Sequence, residues 1–235
     1  MTRTTSHALC ALTLALGLSA SSLAYAQNST VNDPIEPINR GFFQINEMLD
    51  TIVFRPVSVV WNAVVPKPVR TGIGNAFANL DDVFIGANHV LQGRGKDAAN
   101  DFTRVLINTT VGICGLIDVA SSNGIAKGEG DFGQTLGVWG IGEGPYIVLP
   151  VLGPSDARDT VGRVARVFSD PRHYMSHVWS YSLFGTEFVE YKADNLDNAD
   201  LIDSSSLDKY SFTRNLYLQR RAALVNAGRD AVSQH

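Results

Sequence analysis

The sequence predicts a mostly α-helical protein of one domain. Three observations carry that expectation. Apolar residues recur at steps of three and four along most of the chain, clean two-residue alternation is nearly absent, and no repeat or linker divides it. The 235 residues, 45% hydrophobic and 18% charged with a net charge of −4, have ordinary globular composition. A mildly acidic chain without a basic run argues against nucleic acid as a partner, because phosphate contacts need clustered Lys and Arg.

The first segment, residues 1–26, has the form of a secretory signal peptide. Arg3 supplies the positive start, Ala8–Leu18 the apolar run, and Ala24-Tyr25-Ala26 a small-x-small cleavage pattern. The apolar run is well short of the ~20 residues needed to span hydrocarbon. Cleavage after Ala26 removes Cys10 and leaves Cys114 without a disulfide partner. Residues 27–32 form a short polar leader, 33–228 the folded domain, and 229–235 a tail.

The first helical stripe is Ile38, Phe42, Ile45, Leu49 and Ile52, expected to end at Arg55-Pro56 because proline biases its predecessor away from helix. Leu80, Val83, Phe84, Ala87 and Leu91 form a second stripe, with Asp81 and Asp82 placed as N-terminal acids. Phe102, Val105, Leu106 and Thr109 continue the pattern. Ser155 is positioned to cap a helix with Ala157, Val161, Val164 and Phe168 on its inner side. Pro171 opens another through Tyr191, carrying Tyr174, Val178, Tyr181 and Phe188. The last runs from Asp208 to Ala227, with Gly228 as its stop. Val57–Val60 and Tyr146–Leu149 are the two short stretches that read as extended.

Two regions do not fit ordinary helix packing. Val111–Val119 is very apolar and holds two glycines, so it reads as a deeply buried or membrane-contacting helix. Gly137–Pro154 packs glycines and prolines among large apolar residues. Such an irregular segment must be covered by protein, by lipid or by both, with its backbone groups facing protein or a wet cavity.

Motifs for chemistry are incomplete. Gly140, Gly142 and Gly144 lead into Pro145-Tyr146 rather than the Lys-Ser/Thr of a phosphate loop, and Phe77 interrupts the G-x-G begun by Gly72 and Gly74. His173 and His177 have zinc-compatible spacing, but Tyr174 stands where a zincin needs Glu; His89 or His235 would have to complete the site. No G-x-S-x-G is present. Cys114 lies in an apolar run, where a thiol behaves as an inert hydrophobe. Arg158 and Asp159, being adjacent, make a poor dyad. The expectation is a protein that is not an enzyme and that takes no cofactor or metal.

A series of motifs then becomes specific. Asp33-Pro34-Ile35-Glu36 with Asn39-Arg40, Arg55-Pro56-Val57 with Trp61, Leu91-Gln92-Gly93, Phe102-Thr103-Arg104 with Asn108-Thr109, and Ile117-Asp118-Val119-Ala120 resemble the MlaA (VacJ) family. So does Phe132-Gly133-Gln134-Thr135-Leu136-Gly137, followed by Gly144-Pro145-Tyr146, Leu149-Pro150, Gly153-Pro154 and Arg158-Asp159. The likeness covers Asp33 to about Gly228. It implies a ring-shaped helical protein in the inner leaflet of a Gram-negative outer membrane. Its central channel would let mislocalised phospholipids leave the outer leaflet for a soluble periplasmic lipid carrier. A trimeric porin is the implied partner.

On that reading Phe132, Trp139, Gly142, Gly144, Tyr146, Ile147 and Leu149 are candidates for the lipid channel or membrane contact. Arg40, Arg55 and Arg158 are candidate headgroup or structural charges. The alternatives are a structural envelope protein that binds porin and a secreted lipid hydrolase. One departure stands out: family members are lipoproteins with cysteine as the first mature residue, whereas Cys10 lies inside the apolar run. The expectation is therefore an outer-membrane protein without acyl chains, with a periplasm-soluble form as the competing reading.

Overall fold

The computed structural model describes residues 32–205 and 207–233. The signal segment and most of the polar leader lie outside the described residues. Among the described residues, ten α-helices and one small hairpin follow in order.

Helix α1 (Glu36–Leu49) passes through a single π-helical turn (Asp50–Phe54) directly into α2 (Arg55–Val64). Pro56 does not end the helical run as expected. It stands in the first turn of α2 directly after the π turn, whose wider spacing accommodates the ring and its missing N–H without breaking the run. Val57–Val60, one of the stretches read as extended, is helical for the same reason. Helix α3 (Lys67–Leu91) packs along α4 (Gly95–Thr110). Asp82 thus lies mid-helix rather than at an N-terminus.

Val111–Val119 is not one helix: residues 111–116 are turns and 117 a bend, with Ile113, Cys114 and Gly115 at positive φ. A Cβ on Gly115 would come within 2.9 Å of the Asn79 side chain, so a close approach to α3 sets this turn. Short helices α5 (Val119–Ser122) and α6 (Phe132–Val138) follow, each capped by an aspartate, Asp118 and Asp131.

Strand β1 (Tyr146–Leu149) pairs antiparallel with β2 (Gly153–Asp156), Tyr146 opposite Asp156 and Leu149 opposite Gly153. Ser155 belongs to β2; the cap of α7 (Ala157–Ser169) is Asp156, which accepts the Asp159 N–H at 2.7 Å. A 3₁₀ turn (Pro171–Tyr174), α8 (His177–Asp194), α9 (Leu196–Ser205) and α10 (Lys209–Ser233) complete the chain. Gly228 does not stop α10, which runs on to Ser233. Its hydrogen is what permits contact with α6, since a Cβ there would meet Val138 at 2.7 Å.

The helical stripes face the opposite way from ordinary globular packing. The buried positions of α3 are Asn79, Asp82, Ile85, Gly86 and His89, and those of α4 are Ala98, Asp101, Arg104 and Asn108. Val161, Val164 and Phe168, expected on the inner side of α7, are exposed, while Arg158, Asp159 and Gly162 are buried. Tyr174, Val178 and Tyr181 are likewise more than 70% exposed. Among the described residues, 20 polar or charged side chains are buried against eight hydrophobic ones, so the interior is held largely by hydrogen bonds and ion pairs.

The hairpin shows how this works. Asn39, 1% exposed on α1, donates to the Tyr146 carbonyl at 2.9 Å and accepts from the Val148 N–H at 2.9 Å. Two helical turns later Asn46 donates to the Leu149 carbonyl at 2.9 Å and accepts from the Val151 N–H at 2.7 Å. The two amides thus satisfy the edge of β1 that β2 leaves open. Asn39→Ala leaves two backbone groups unpaired and is expected to lower stability by about 2 kcal/mol. Denaturant unfolding in detergent, followed by circular dichroism, measures it, and an unchanged midpoint would refute the clamp.

Candidate functional site

A cavity of about 730 Å³ opens between the π turn, the hairpin bend and helices α8, α9 and α10. Its walls are mixed. Phe43, Phe54, Phe188, Val151, Leu152 and Ile202 present apolar surface, whereas Glu47, Asp50, Arg55, Lys192 and Lys209 present charge. The charges are joined: Lys192 Nζ lies 2.5 Å from Asp50 Oδ1, Arg55 Nη1 2.5 Å from Asp200 Oδ1, and Arg55 Nε 4.0 Å from the second Asp50 oxygen. Phe54 meets Phe188 edge-on with ring centroids 4.9 Å apart. A smaller pocket of about 220 Å³, lined mainly by Val53, Phe54, Val57, Phe188 and Val189, shares Phe54, Phe188 and Lys192 with the larger one. Apolar surface beside fixed charge suits an amphiphile, whose two ends need different surroundings.

Of the side chains nominated from sequence, Arg55 lines this cavity. Tyr146 is buried in a small aromatic core with Tyr210 and Tyr217, at centroid distances of 6.2 and 6.0 Å. Ile147 and Leu149 lie half-buried on the other face of the strand. Phe132 meets Trp139 edge-on at 6.3 Å, and the half-exposed Trp139 donates its indole N–H to the Leu91 carbonyl at 3.0 Å. Arg40 pairs with Glu36 and Asp208 at 2.8 and 2.9 Å and covers the Tyr210 ring. Arg158, 7% exposed, contacts Asp159 and Asp156 at 3.2 and 3.5 Å. The adjacent residues Arg158 and Asp159 do reach one another, because both sit in the first turn of α7 and turn inward.

The Gly137–Pro154 stretch reaches the cavity through its last four residues, Val151–Pro154, not through Gly142 or Gly144. Those two glycines differ. Gly144 has φ +72°, and a Cβ there would lie 2.9 Å from the Ala157 methyl; Gly142 has open space around it and no positive φ. Gly144→Val is therefore expected to cost about 1–3 kcal/mol, whereas Gly142→Val leaves stability nearly unchanged. Parallel melting curves decide this, and equal melting of the two variants would contradict the distinction.

Sequence reasoning missed Asp50, Lys192, Lys209, Phe54 and Phe188. They come from elements up to 162 residues apart (Glu47 to Lys209 spans the charged wall), and no local spacing connects them. His173 and His177 fall on different elements and are both exposed. His89 is instead buried against Asp101, with Nδ1 and Oδ2 2.5 Å apart. Among the described residues no cluster of His, Cys, Asp and Glu is arranged to hold a metal, and no helix is long and apolar enough to cross a membrane.

A helical protein with an ionic interior, an apolar outer face and an amphiphile-compatible cavity belongs to the class that works against lipid, since such a surface demands an apolar neighbour. The chain belongs to the MlaA family: the family model described as MlaA lipoprotein matches residues 31–224. It is 36% identical over 201 residues to the intermembrane phospholipid transport system lipoprotein MlaA of Escherichia coli (strain K12), covering 84% of this chain and 80% of that protein. The protein of the same name from Haemophilus influenzae is 33% identical over 208 residues, covering 86% of this chain and 83% of the relative. A solved structure from work on the structural basis for maintenance of bacterial outer membrane lipid asymmetry is similar, with a TM-score of 0.72 and 36% identity. It aligns with 82% of this chain and 98% of its own.

Proposed function

We propose that this protein removes mislocalised phospholipids from the outer leaflet of the outer membrane and passes them to a soluble periplasmic lipid carrier, without catalysis. The observation that carries the reading is the 730 Å³ cavity, with charged and aromatic walls, inside a protein whose outward helical faces are apolar. Tails that stay covered during transit avoid ~0.8 kcal/mol of exposure per methylene, so the protein acts by lowering a barrier rather than by bond chemistry. Its relatives carry the name of a phospholipid transport system, which supports the same direction.

The exposed faces of α1, α2, α7 and α8 would lie against acyl chains of the inner leaflet or against a trimeric porin. Phe132, Trp139, Ile147 and Leu149 would help seat the protein, and Arg55 would meet headgroups. The signal is proposed to be cleaved after Ala26, leaving no acyl chain. With no acyl chain, residence would rest on the apolar surface of the helices themselves. Intact mass of the mature protein reads this directly: a diacylglyceryl adduct on Cys10 refutes it.

Deleting the gene is expected to raise outer-leaflet phospholipid and sensitivity to detergent. An unaltered outer leaflet in the deletion strain would overturn the transport reading.

A further inference from the structure

Lys192 stands where the two cavities share a wall. Its ammonium is 2.5 Å from Asp50 Oδ1 and 5.7 Å from the centroid of the Phe54 ring. Asp50 begins the π turn and is placed between two cations, Lys192 and Arg55, while Arg55 also holds Asp200 on α9. The walls of the larger cavity carry three cations, Arg55, Lys192 and Lys209, against two carboxylates, Glu47 and Asp50. On the other side of Phe54 and Phe188 lies the smaller pocket, whose floor is Val53, Val57 and Val189.

We propose that Lys192 and Arg55 form the phosphate-recognising pair of the lipid path. The phosphodiester of a glycerophospholipid takes the places held here by the Asp50 and Asp200 carboxylates, with an acyl chain in the smaller pocket. This rests on the transport reading and adds to it the residues that recognise the passenger.

The chemistry favours exchange. A singly charged phosphodiester adds one negative charge to a cavity whose walls carry three cations against two carboxylates, and it can bridge Lys192 and Arg55 while Asp50 and Asp200, which stay on the chain, turn to water. All four groups are partly exposed, with side-chain exposures from 22% to 59%, so the pairs can open without stranding a charge in a dry interior. The neighbouring apolar pocket distinguishes a lipid from free phosphate, which has nothing to place there.

Full-length protein in dodecylmaltoside micelles, offered dioleoylphosphatidylglycerol or dioleoylglycerol, tests this by the amount of each lipid retained per protein. Wild type is expected to prefer the phospholipid. Lys192→Ala should reduce its retention about tenfold, the scale of one charge-assisted hydrogen bond, and leave dioleoylglycerol unchanged. Lys192→Arg should keep the preference, and Asp50→Asn, which removes the competing carboxylate, should strengthen it.

Lys192→Ala with the preference intact would place phosphate recognition elsewhere, with transport itself still standing. Equal loss of both lipids in that variant would reduce Lys192 to a structural role and overturn the proposal. Complete displacement of the phospholipid by an about 10-fold excess of inorganic phosphate would identify a free-anion site and overturn the lipid assignment. A wild type that retains neither lipid would remove the transport reading along with the pair.

Discussion

Replacing Arg104 by Met is expected to destabilise the protein by about 3–5 kcal/mol, because it leaves a buried carboxylate without its principal partner. Arg104 is 1% exposed and reaches Asp82 at 3.0 Å, Asp118 at 3.1 Å and the Ser121 hydroxyl at 3.0 Å. Asp82 is fully buried, and its other cationic contact, Lys127 at 2.6 Å, is 39% exposed and so screened by water. One side chain thus pins the segment carrying Asp118 and Ser121 onto α3 and α4. Burial pushes Asp118 up, but its bonds from Ser121, Asn108 and Arg104 outweigh that and hold it well below the ordinary carboxylate range. Chemical unfolding of wild type and variant at pH 7 measures the difference. Adding Asp82→Leu to Arg104→Met should recover part of the loss, since the stranded charge goes too. A loss below about 1 kcal/mol would show the network to be ornamental.

The same residues show how much of this molecule was legible in its sequence. The period of three and four located α1, α3, α4, α7, α8 and α10, because helical geometry imposes that period whichever face is buried. It did not tell which stripe points inward. On α3 the apolar residues Val83 and Leu91 are exposed, and the polar set Asn79, Asp82 and His89 is buried. The usual rule assumes water outside; a surface meant for lipid reverses the contrast and leaves the period untouched. Boundaries failed where a local signal had a second use. Pro56 opens a helix after a π turn, and Gly228 gives room for a neighbouring helix. The cavity was the least legible part. Arg55 was reachable because it lies in a recognisable Arg-Pro motif, but Lys192 occupies an unremarkable position on α8, and its importance comes from Asp50, 142 residues away.

Arg221→Met is the second substitution expected to cost about 3–5 kcal/mol at neutral pH, and its cost should shrink in acid. Arg221, on α10, donates to Asp131 at 2.6 Å and to Asp159 at 2.8 Å, joining the caps and first turns of α6 and α7. Asp159 is 5% exposed and also accepts the Tyr217 hydroxyl at 2.6 Å. Removing the guanidinium leaves Asp159 with Tyr217 and Arg158, and leaves Asp131 with the Gln134 N–H that it caps. Close packing beneath the network gives little room for adjustment: a Cβ on Gly133 would lie 2.4 Å from Asp159 Oδ1, and one on Gly162 would lie 2.4 Å from the Gly133 nitrogen. The pH dependence follows from Asp131. Burial raises its affinity for a proton, but Arg221 more than reverses this and holds it below the ordinary carboxylate value. Its contribution is therefore complete above the unfolded value of about 3.9 and is lost as pH falls through the lower folded value. Asp156 beside it is pushed up by burial and partly held back by Arg221, so protonation in acid relieves the variant more than the wild type and narrows the gap further. The gap between the two proteins should consequently narrow between neutral pH and pH values well below the ordinary carboxylate range. Denaturant midpoints at the two ends measure it, and a gap of constant size would refute the role assigned to the Arg221–Asp131 pair.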